Sequence, residues 1–202
     1  MKIYNVLGIM SGTSLDGLDL AFCRFWKEKI EWKYNIEKAS TVAYSSYWHD
    51  QLANAHKLSL IEFLLLHKMY GQYIGEQVNS FCANKLYPDL IASHGHTIFH
   101  RPSEGLTFQI GDGATLAATC RVTTVCDFRS FDVALGGQGA PLVPAGDELL
   151  FGNYDYCLNL GGFANISYRL NNRRIAYDIC PVNTVINYLA GLAGYKLDNN
   201  GD

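Results

Sequence analysis

Residues 10–19, Met-Ser-Gly-Thr-Ser-Leu-Asp-Gly-Leu-Asp, gather the groups that hold a phosphate. Gly12 and Gly17 let a backbone approach a ligand closely, Thr13 and Ser14 supply hydroxyl donors, and successive N–H groups in such a loop form an anion nest. Asp16 and Asp19 are hard oxygen donors able to hold Mg²⁺ directly or through water. Leu15 and Leu18 complete the stretch 12–19. No Gly-Lys-Ser/Thr follows, so this is not a P-loop, and no Gly-x-Gly-x-x-Gly opens a helix here. A hairpin turn built of ordinary turn residues accounts for the same composition.

A second turn, Asn159-Leu-Gly-Gly-Phe-Ala-Asn165, offers a matching pair, Gly161 and Gly162. Two facing glycine hairpins are one way for a two-lobed fold to grip a polyphosphate from both sides. The alternative is an ordinary hairpin with Asn165 satisfying its backbone. Asp178 ends the apolar run Ile175-Ala-Tyr-Asp178 just before a helix that Pro181 would start. There it can accept a proton from an attacking oxygen or cap the helix.

Ser93-His-Gly-His-Thr97 ends a short apolar run, with His100 nearby. His94 and His96 would share a strand face, but carboxylate or cysteine partners for zinc are missing in sequence range. Hydrogen bonding to a polar substrate suits His94 better, joined by Gln109, Asp127 and Arg129 at the ends of apolar strands. Arg129 fits an anionic group, because guanidinium grips carboxylates with two parallel bonds. A salt bridge from Arg129 to Asp127 or Asp132 is the structural alternative.

The elements that must position these residues follow from periodicity. Strands are predicted over 3–9, 18–26 and 31–43, the first two joined around the glycine turn. A long helix over 59–86 follows from Leu60, Phe63, Leu64, Leu66, Tyr70, Ile74, Val78 and Phe81, with Ser59 as its N-cap. Then come a strand at 89–93, a small-residue helix at 113–120, a strand at 121–127, a glycine-rich loop at 136–141 and a helix near 144–151. Strands at 154–160, 165–170 and 174–178 and a helix at 182–192 repeat the opening pattern of strand, glycine turn, strand, strand, helix.

Composition narrows the class. The 202 residues are 49% hydrophobic and 17% charged, enough for a sizeable core, with a formal charge of −3. No Lys/Arg stripe suits nucleic acid or an anionic membrane. The N-terminus lacks an apolar signal segment, and no run approaches the roughly 18 apolar residues needed to span a bilayer, so a cytoplasmic location is expected. The six cysteines form no C-x-x-C pair and read as buried free thiols.

Gly8-Ile-Met-Ser-Gly-Thr-Ser-Leu-Asp-Gly-Leu-Asp19 closely resembles the opening of the 1,6-anhydro-N-acetylmuramic acid kinases. Further blocks agree in order: Ser93-His-Gly-His-Thr97, Phe108-Gln-Ile-Gly111, Asp127-Phe-Arg129 with Asp132-Val-Ala134, Gly136-Gly-Gln-Gly-Ala-Pro-Leu-Val-Pro144, and Asn159-Leu-Gly-Gly-Phe-Ala-Asn-Ile-Ser167. The resemblance implies an α/β fold of the sugar kinase, heat-shock protein 70 and actin superfamily, with two ribonuclease H-like lobes and ATP in the cleft between them. It implies that water opens an anhydro amino sugar from recycled cell wall at its anomeric carbon while O6 takes the γ-phosphoryl group. By the same resemblance Asp178 activates that water, residues 12–19 contact ATP, Asn183 belongs to the substrate site, and the full-length protein is a homodimer. The lactyl carboxylate of muramic acid is the anion that the charge of Arg129 suits.

Two departures stand out. The family usually reads Asp-x-Gly-Pro-Gly-Asn where this chain has Asp178-Ile-Cys-Pro-Val-Asn183, and Gln is common where His96 stands. Family members are also longer, so the chain is expected to hold the first lobe, 1–150, nearly complete, and the start of the second, 151–202. The rival to a kinase is a non-catalytic actin-like module that binds a sugar or nucleotide, and a chain lacking the nucleoside-binding half could be inactive.

Overall fold

The computed structural model describes residues 1–83, 85–140, 142–195 and 198, which fall into two compact units, Met1–Ala140 and Pro141–Asp202. Pro141 of the glycine-rich loop and the closing stretch 199–202 lie outside the described residues.

The first unit opens with an antiparallel meander, β1 (Ile3–Ser11), β2 (Gly17–Glu28) and β3 (Glu31–Ala43). Period-two alternation builds it: Leu7 and Ile9 in β1 and Leu18, Leu20 and Phe22 in β2 turn inward, while Asp19 faces solvent. Two helices follow, α1 (Ser46–Asn54) and α2 (Leu60–Cys82). In α2 the buried residues Phe63, Leu66, Tyr70, Ile74, Val78 and Phe81 recur at helical spacing and cover the sheet. Ser59 and Glu62 close a reciprocal capping box at its start. The helix stops short of the expected residue 86 because Ala83 turns left-handed at φ 41°.

The chain returns as β4 (Leu90–Arg101), parallel to β1, then β5 (Leu106–Ile110), α3 (Gly113–Cys120), β6 (Thr124–Val125) and α4 (Phe128–Ala134). The sheet order is β3-β2-β1-β4-β5, with β6 pairing in parallel to the first half of β4 and β5 antiparallel to its second half. A three-stranded meander followed by parallel β4 and β6 is the mixed α/β order expected of a ribonuclease H-like lobe. Beyond expectation, α1, β5 and α4 are additional elements, and β4 runs eight residues past the predicted end at Ser93.

The second unit contains α5 (Leu142–Leu150), an antiparallel sheet of β7 (Tyr156–Leu160), β8 (Phe163–Leu170) and β9 (Arg173–Pro181), and α6 (Asn183–Leu192). Asn171 and Asn172, both at positive φ, make the two-residue hairpin between β8 and β9. The division falls before α5, earlier than the expected boundary after residue 150. Its cause is polar: Asp147 accepts from Ser167, Glu148 pairs with Arg169, and the buried Arg174 lies 3.9 Å from Asp147 and 3.6 Å from Glu148. These bonds fasten α5 to its own sheet. Among the described residues no helix is long and apolar enough to cross a membrane.

Candidate functional site

The glycine turn occupies the gap between β1 and β2. Leu15, at φ 58°, donates its N–H to the Gly12 carbonyl at 3.3 Å, and Ser14 donates to Asp16 at 2.9 Å. Thr13, Ser14 and Asp16 are exposed and Gly12 is half-buried, so the turn presents its hydroxyls and carboxylate outward. Asp19 is also exposed and accepts from Thr41 at 2.5 Å. Leu18, by contrast, is fully buried and anchors the turn from below. Gly17 is dictated by packing: a Cβ there would lie 2.8 Å from the Val42 carbonyl oxygen. Two exposed carboxylates and a serine hydroxyl are a hard donor set that fits Mg²⁺, which takes one or two carboxylates and completes its shell with water and phosphate.

The turn leaves β1 beside the polar stretch of β4. Ile9 pairs with Ser93 and Ser11 with His96, so one extra residue of β4 bulges out at this point. The bulge centres on Gly95, whose φ of +71° would be strained in any other residue and whose Cβ would fall 2.5 Å from the Ile110 carbonyl oxygen. It also separates the two histidines functionally. His94 joins Arg129, whereas His96 bonds Ser11 at 2.8 Å.

His94, Gln109 and Asp127 meet in one cavity of about 250 Å³, together with Ser93, Asp112, Gly113 and Ser130. Arg129 does not stand at a strand end as expected. Asp127 adopts φ 56° and starts α4, which carries Arg129 on its first turn. The guanidinium makes neither expected salt bridge; among the described residues it donates Nε–H to His94 Nε2 at 2.9 Å and Nη1–H to the Gly139 carbonyl at 2.8 Å. Asp132 instead accepts from the Gly139 N–H at 2.7 Å, and Asp127 from Ser130 at 2.5 Å.

Because Nε of arginine is always a donor, His94 Nε2 must be the acceptor. The ring proton therefore sits on Nδ1, facing the Gly95 carbonyl at 2.9 Å. Burial pushes the His94 pKa down; the Gly95 carbonyl opposes the shift and the Arg129 charge adds to it. His94 is thus a neutral ring of fixed tautomer. With Nε and one Nη1 proton occupied, Arg129 still has the end of its fork for an anion.

Ser93 escaped the sequence reading as a binding group, whereas Gln109 was expected to bind a polar substrate. Ser93 is 1% exposed and its hydroxyl has no partner among the described residues, and Gln109 Oε1 is likewise buried and unpaired there, while its amide nitrogen donates to Thr107 at 2.8 Å. Unpaired buried polar atoms are costly and rare, and a bound water or a ligand can supply the missing bond. The only sequence signal for Ser93 is its position beside His94 in the polar motif. Asp112 is different: burial raises its carboxyl, but bonds from Thr115 and Lys68 outweigh this and hold it at about 2. It caps α3 and is fully engaged.

In the second unit, Gly161 and Gly162 form the β7–β8 turn. Their carbonyls accept from the start of α6: Val182 N–H to Gly162 at 2.9 Å, Asn183 N–H to Gly161 at 3.1 Å, Thr184 N–H to Gly162 at 3.3 Å. Asp178 pairs with Asn165 in the β8–β9 ladder, is exposed, and its carboxylate accepts no hydrogen bond among the described residues. It does not cap α6, whose N-cap is Val182 without a side-chain bond, and β9 continues to Pro181. Asn183, the first residue of α6, is exposed.

The family model described as Anhydro-N-acetylmuramic acid kinase matches residues 4–202. The chain is 37% identical to the anhydro-N-acetylmuramic acid kinase of Pseudoalteromonas translucida (strain TAC 125), over 92% of this chain and 54% of that protein. It is 32% identical to that of Bacillus cereus (strain G9842), over 97% and 56% respectively. The chain thus spans about half the length of the curated relatives it matches. Among solved structures, the Aquifex aeolicus PPX-GPPA enzyme aligns over 93% of this chain and 56% of its own, at a TM-score of 0.37 and 6% identity.

Proposed function

This chain belongs to the anhydro-N-acetylmuramic acid kinase family, and from that premise we propose that it is part of an ATP- and Mg²⁺-dependent enzyme that converts 1,6-anhydro-N-acetylmuramic acid to N-acetylmuramic acid 6-phosphate in cell-wall recycling. Water adds to C1 of the sugar, the C1–O6 bond breaks, O6 takes the γ-phosphoryl group and ADP leaves. Asp178 accepts the proton of the water. Residues 12–19, with Gly161 and Gly162, hold the phosphates, and Asp16 and Asp19 hold Mg²⁺, which neutralises phosphate charge as phosphoryl transfer requires. His94, Gln109, Asp127, Arg129 and Asn183 bind the sugar, with Arg129 on its lactyl carboxylate. We take the full-length protein to be a cytoplasmic homodimer that binds neither nucleic acid nor membrane.

One observation carries the reading: Ser93 and Gln109 line the cavity of His94 and Asp127, and Ser93 Oγ and Gln109 Oε1 are buried with no hydrogen-bond partner among the described residues. A polar, hydroxyl-rich ligand satisfies them. Asp178, exposed and with no hydrogen-bond partner for its carboxylate among the described residues, suits a base.

The test is the full-length protein with ATP, Mg²⁺ and the anhydro sugar in ¹⁸O-labelled water. The expected product is a sugar phosphate carrying the label at C1; no sugar phosphate rejects the reading. Asp178→Asn lowers turnover by about 10²–10⁴-fold, the usual contribution of a positioned base, and leaves ATP affinity within about threefold. Turnover equal to the parent's would reject Asp178 as the base.

A further inference from the structure

A continuous hydrogen-bonded chain runs through the core of the first unit and ends beneath the glycine turn. Tyr70 of α2 is fully buried, and its hydroxyl lies 2.6 Å from that of Tyr44, just after β3. Tyr44 donates to Ser11 Oγ at 2.7 Å, and Ser11 Oγ lies 2.8 Å from His96 Nδ1. Ser11 is the last residue of β1, and the next residue is Gly12 of the turn.

Ser11 occupies a place that strand periodicity assigns to the core. Leu7, Ile9 and Ser11 share the inward face of β1, and Ser11 is only 2% exposed. A buried hydroxyl at such a position lowers stability unless it is bonded, and when fully bonded it fixes one geometry. The proton count here is complete. Tyr44 gives its proton to Ser11, Ser11 has its own left for His96 Nδ1, and Tyr70 has one for Tyr44. His96 is then neutral, with its proton on Nε2; burial, reinforced by His94 beside it, holds its pKa at about 4.

Tyr44 is also within electrostatic reach of the turn. Burial raises its pKa, its bonds to Ser11 and Tyr70 oppose this, and the charges of Asp16 and Asp19 raise it further. Tyr44 therefore lies near the carboxylates assigned to Mg²⁺, and among the described residues its hydroxyl bonds Ser11 and Tyr70. None of the four residues in the chain lines the cavity of His94 and Gln109.

We infer that the Tyr70–Tyr44–Ser11–His96 chain positions the phosphate turn, so that Tyr44 and His96 act on nucleotide binding through Ser11 without touching the nucleotide. This rests on the kinase reading for the identity of the ligand. Ser11 is held by Tyr44 and by His96, which leaves the backbone direction into Gly12 little freedom. Removing either side loosens the turn and weakens phosphate binding, while the sugar chemistry stays as it was.

The experiment measures ATP KM and kcat in the full-length protein. Tyr44→Phe and His96→Leu are each expected to raise the ATP KM about fivefold, the equivalent of one net hydrogen bond, with kcat changed less than about twofold. His96→Gln, whose amide oxygen can accept from Ser11, returns the KM to the parent value. Tyr44→Phe and Ser11→Ala combined are non-additive, because they cut the same bond. Parent KM in His96→Leu, or failure of His96→Gln to restore what His96→Leu loses, would overturn the inference. A purely structural chain lowers the melting temperature without that split.

The two readings fail separately. If the parent forms no sugar phosphate, the kinase reading falls, and the chain is read from histidine-selective ¹⁵N spectra of the same protein. Those must show His96 protonated on Nε2, with an Nδ1 resonance that moves in Tyr44→Phe. An Nδ1-protonated His96, or an Nδ1 resonance indifferent to Tyr44→Phe, would overturn the chain itself.

Discussion

Replacing Arg129 by methionine tests whether one guanidinium sets both the rigidity and the protonation of the His94 cavity. Methionine keeps much of the aliphatic reach and deletes the bonds to His94 (2.9 Å) and Gly139 (2.8 Å). A bond from a charged donor contributes about 1.5–3 kcal/mol; Arg129 is only half-buried, so the lower end applies and the pair comes to about 3 kcal/mol. For a chain of this size that lowers Tm by about 6–12 °C. Arg129→Lys retains the charge but cannot span both acceptors, and recovers about half of the loss. The sharper readout is His94. Burial lowers its pKa, the Gly95 carbonyl opposes this, and the Arg129 charge adds to the lowering. Deleting the charge therefore raises the His94 pKa in the methionine variant and leaves it low in the lysine variant. Calorimetry gives Tm, and a histidine-selective ¹H–¹⁵N titration gives the pKa. An unchanged Tm, or a His94 that titrates in Arg129→Met at or below the parent pH, would refute the argument.

The same histidines make the fold acid-sensitive. Burial, then the proximity of His94, lowers His96 from 6.5 to about 4, so below about 6.5 the unfolded chain takes up a proton that the folded chain refuses. Stability present above that pH is lost as pH falls toward 4, by about 3 kcal/mol in total, with His94 contributing in the same direction. Urea unfolding at pH 7 and pH 4.5 measures this, and a pH dependence in His96→Gln as steep as the parent's would contradict it. Ser93→Ala removes a buried hydroxyl that bonds nothing among the described residues. It should leave stability within about 0.5 kcal/mol while raising the KM for the sugar about fivefold; a large fall in Tm with normal sugar binding would show that the hydroxyl serves the fold.

The long elements were legible because their signals repeat. In α2 six apolar residues recur at helical spacing between a capping box and a left-handed stop, and in β2 Leu18, Leu20 and Phe22 alternate with exposed or half-buried neighbours. The glycine turn was legible from its residue types. Arg129 was misplaced because α4 is seven residues long, too short to show a period, and because Asp127 begins it from a left-handed conformation that its residue type permits but does not announce. The bulge at Gly95 hid the separation of His94 from His96: simple alternation puts both rings on one face, and only the register of β4 against β1 shows the extra residue. Ser93 stood in the polar motif, but its unpaired hydroxyl was not legible there, since that is a property of surroundings that come from β5, α3 and α4.

The departures from the family pattern at Cys180 and Val182 can be weighed on the same footing. A glycine is required where the backbone is left-handed or where a Cβ collides with the chain. Val182 has φ −125° and ψ −92°, and Cys180 lies in the β9 ladder opposite Ala164; neither has positive φ. The N–H groups of Val182, Asn183 and Thr184 all reach the carbonyls of Gly161 and Gly162. The start of α6 therefore holds the second glycine turn in shape, and does so through backbone atoms that the larger side chains leave untouched. Folding does not need glycine at either position. Under the proposed function, what the side chains of Cys180 and Val182 alter is the clearance left for a phosphate or sugar at that turn, so the departure would bear on ligand affinity rather than on the architecture of the second unit.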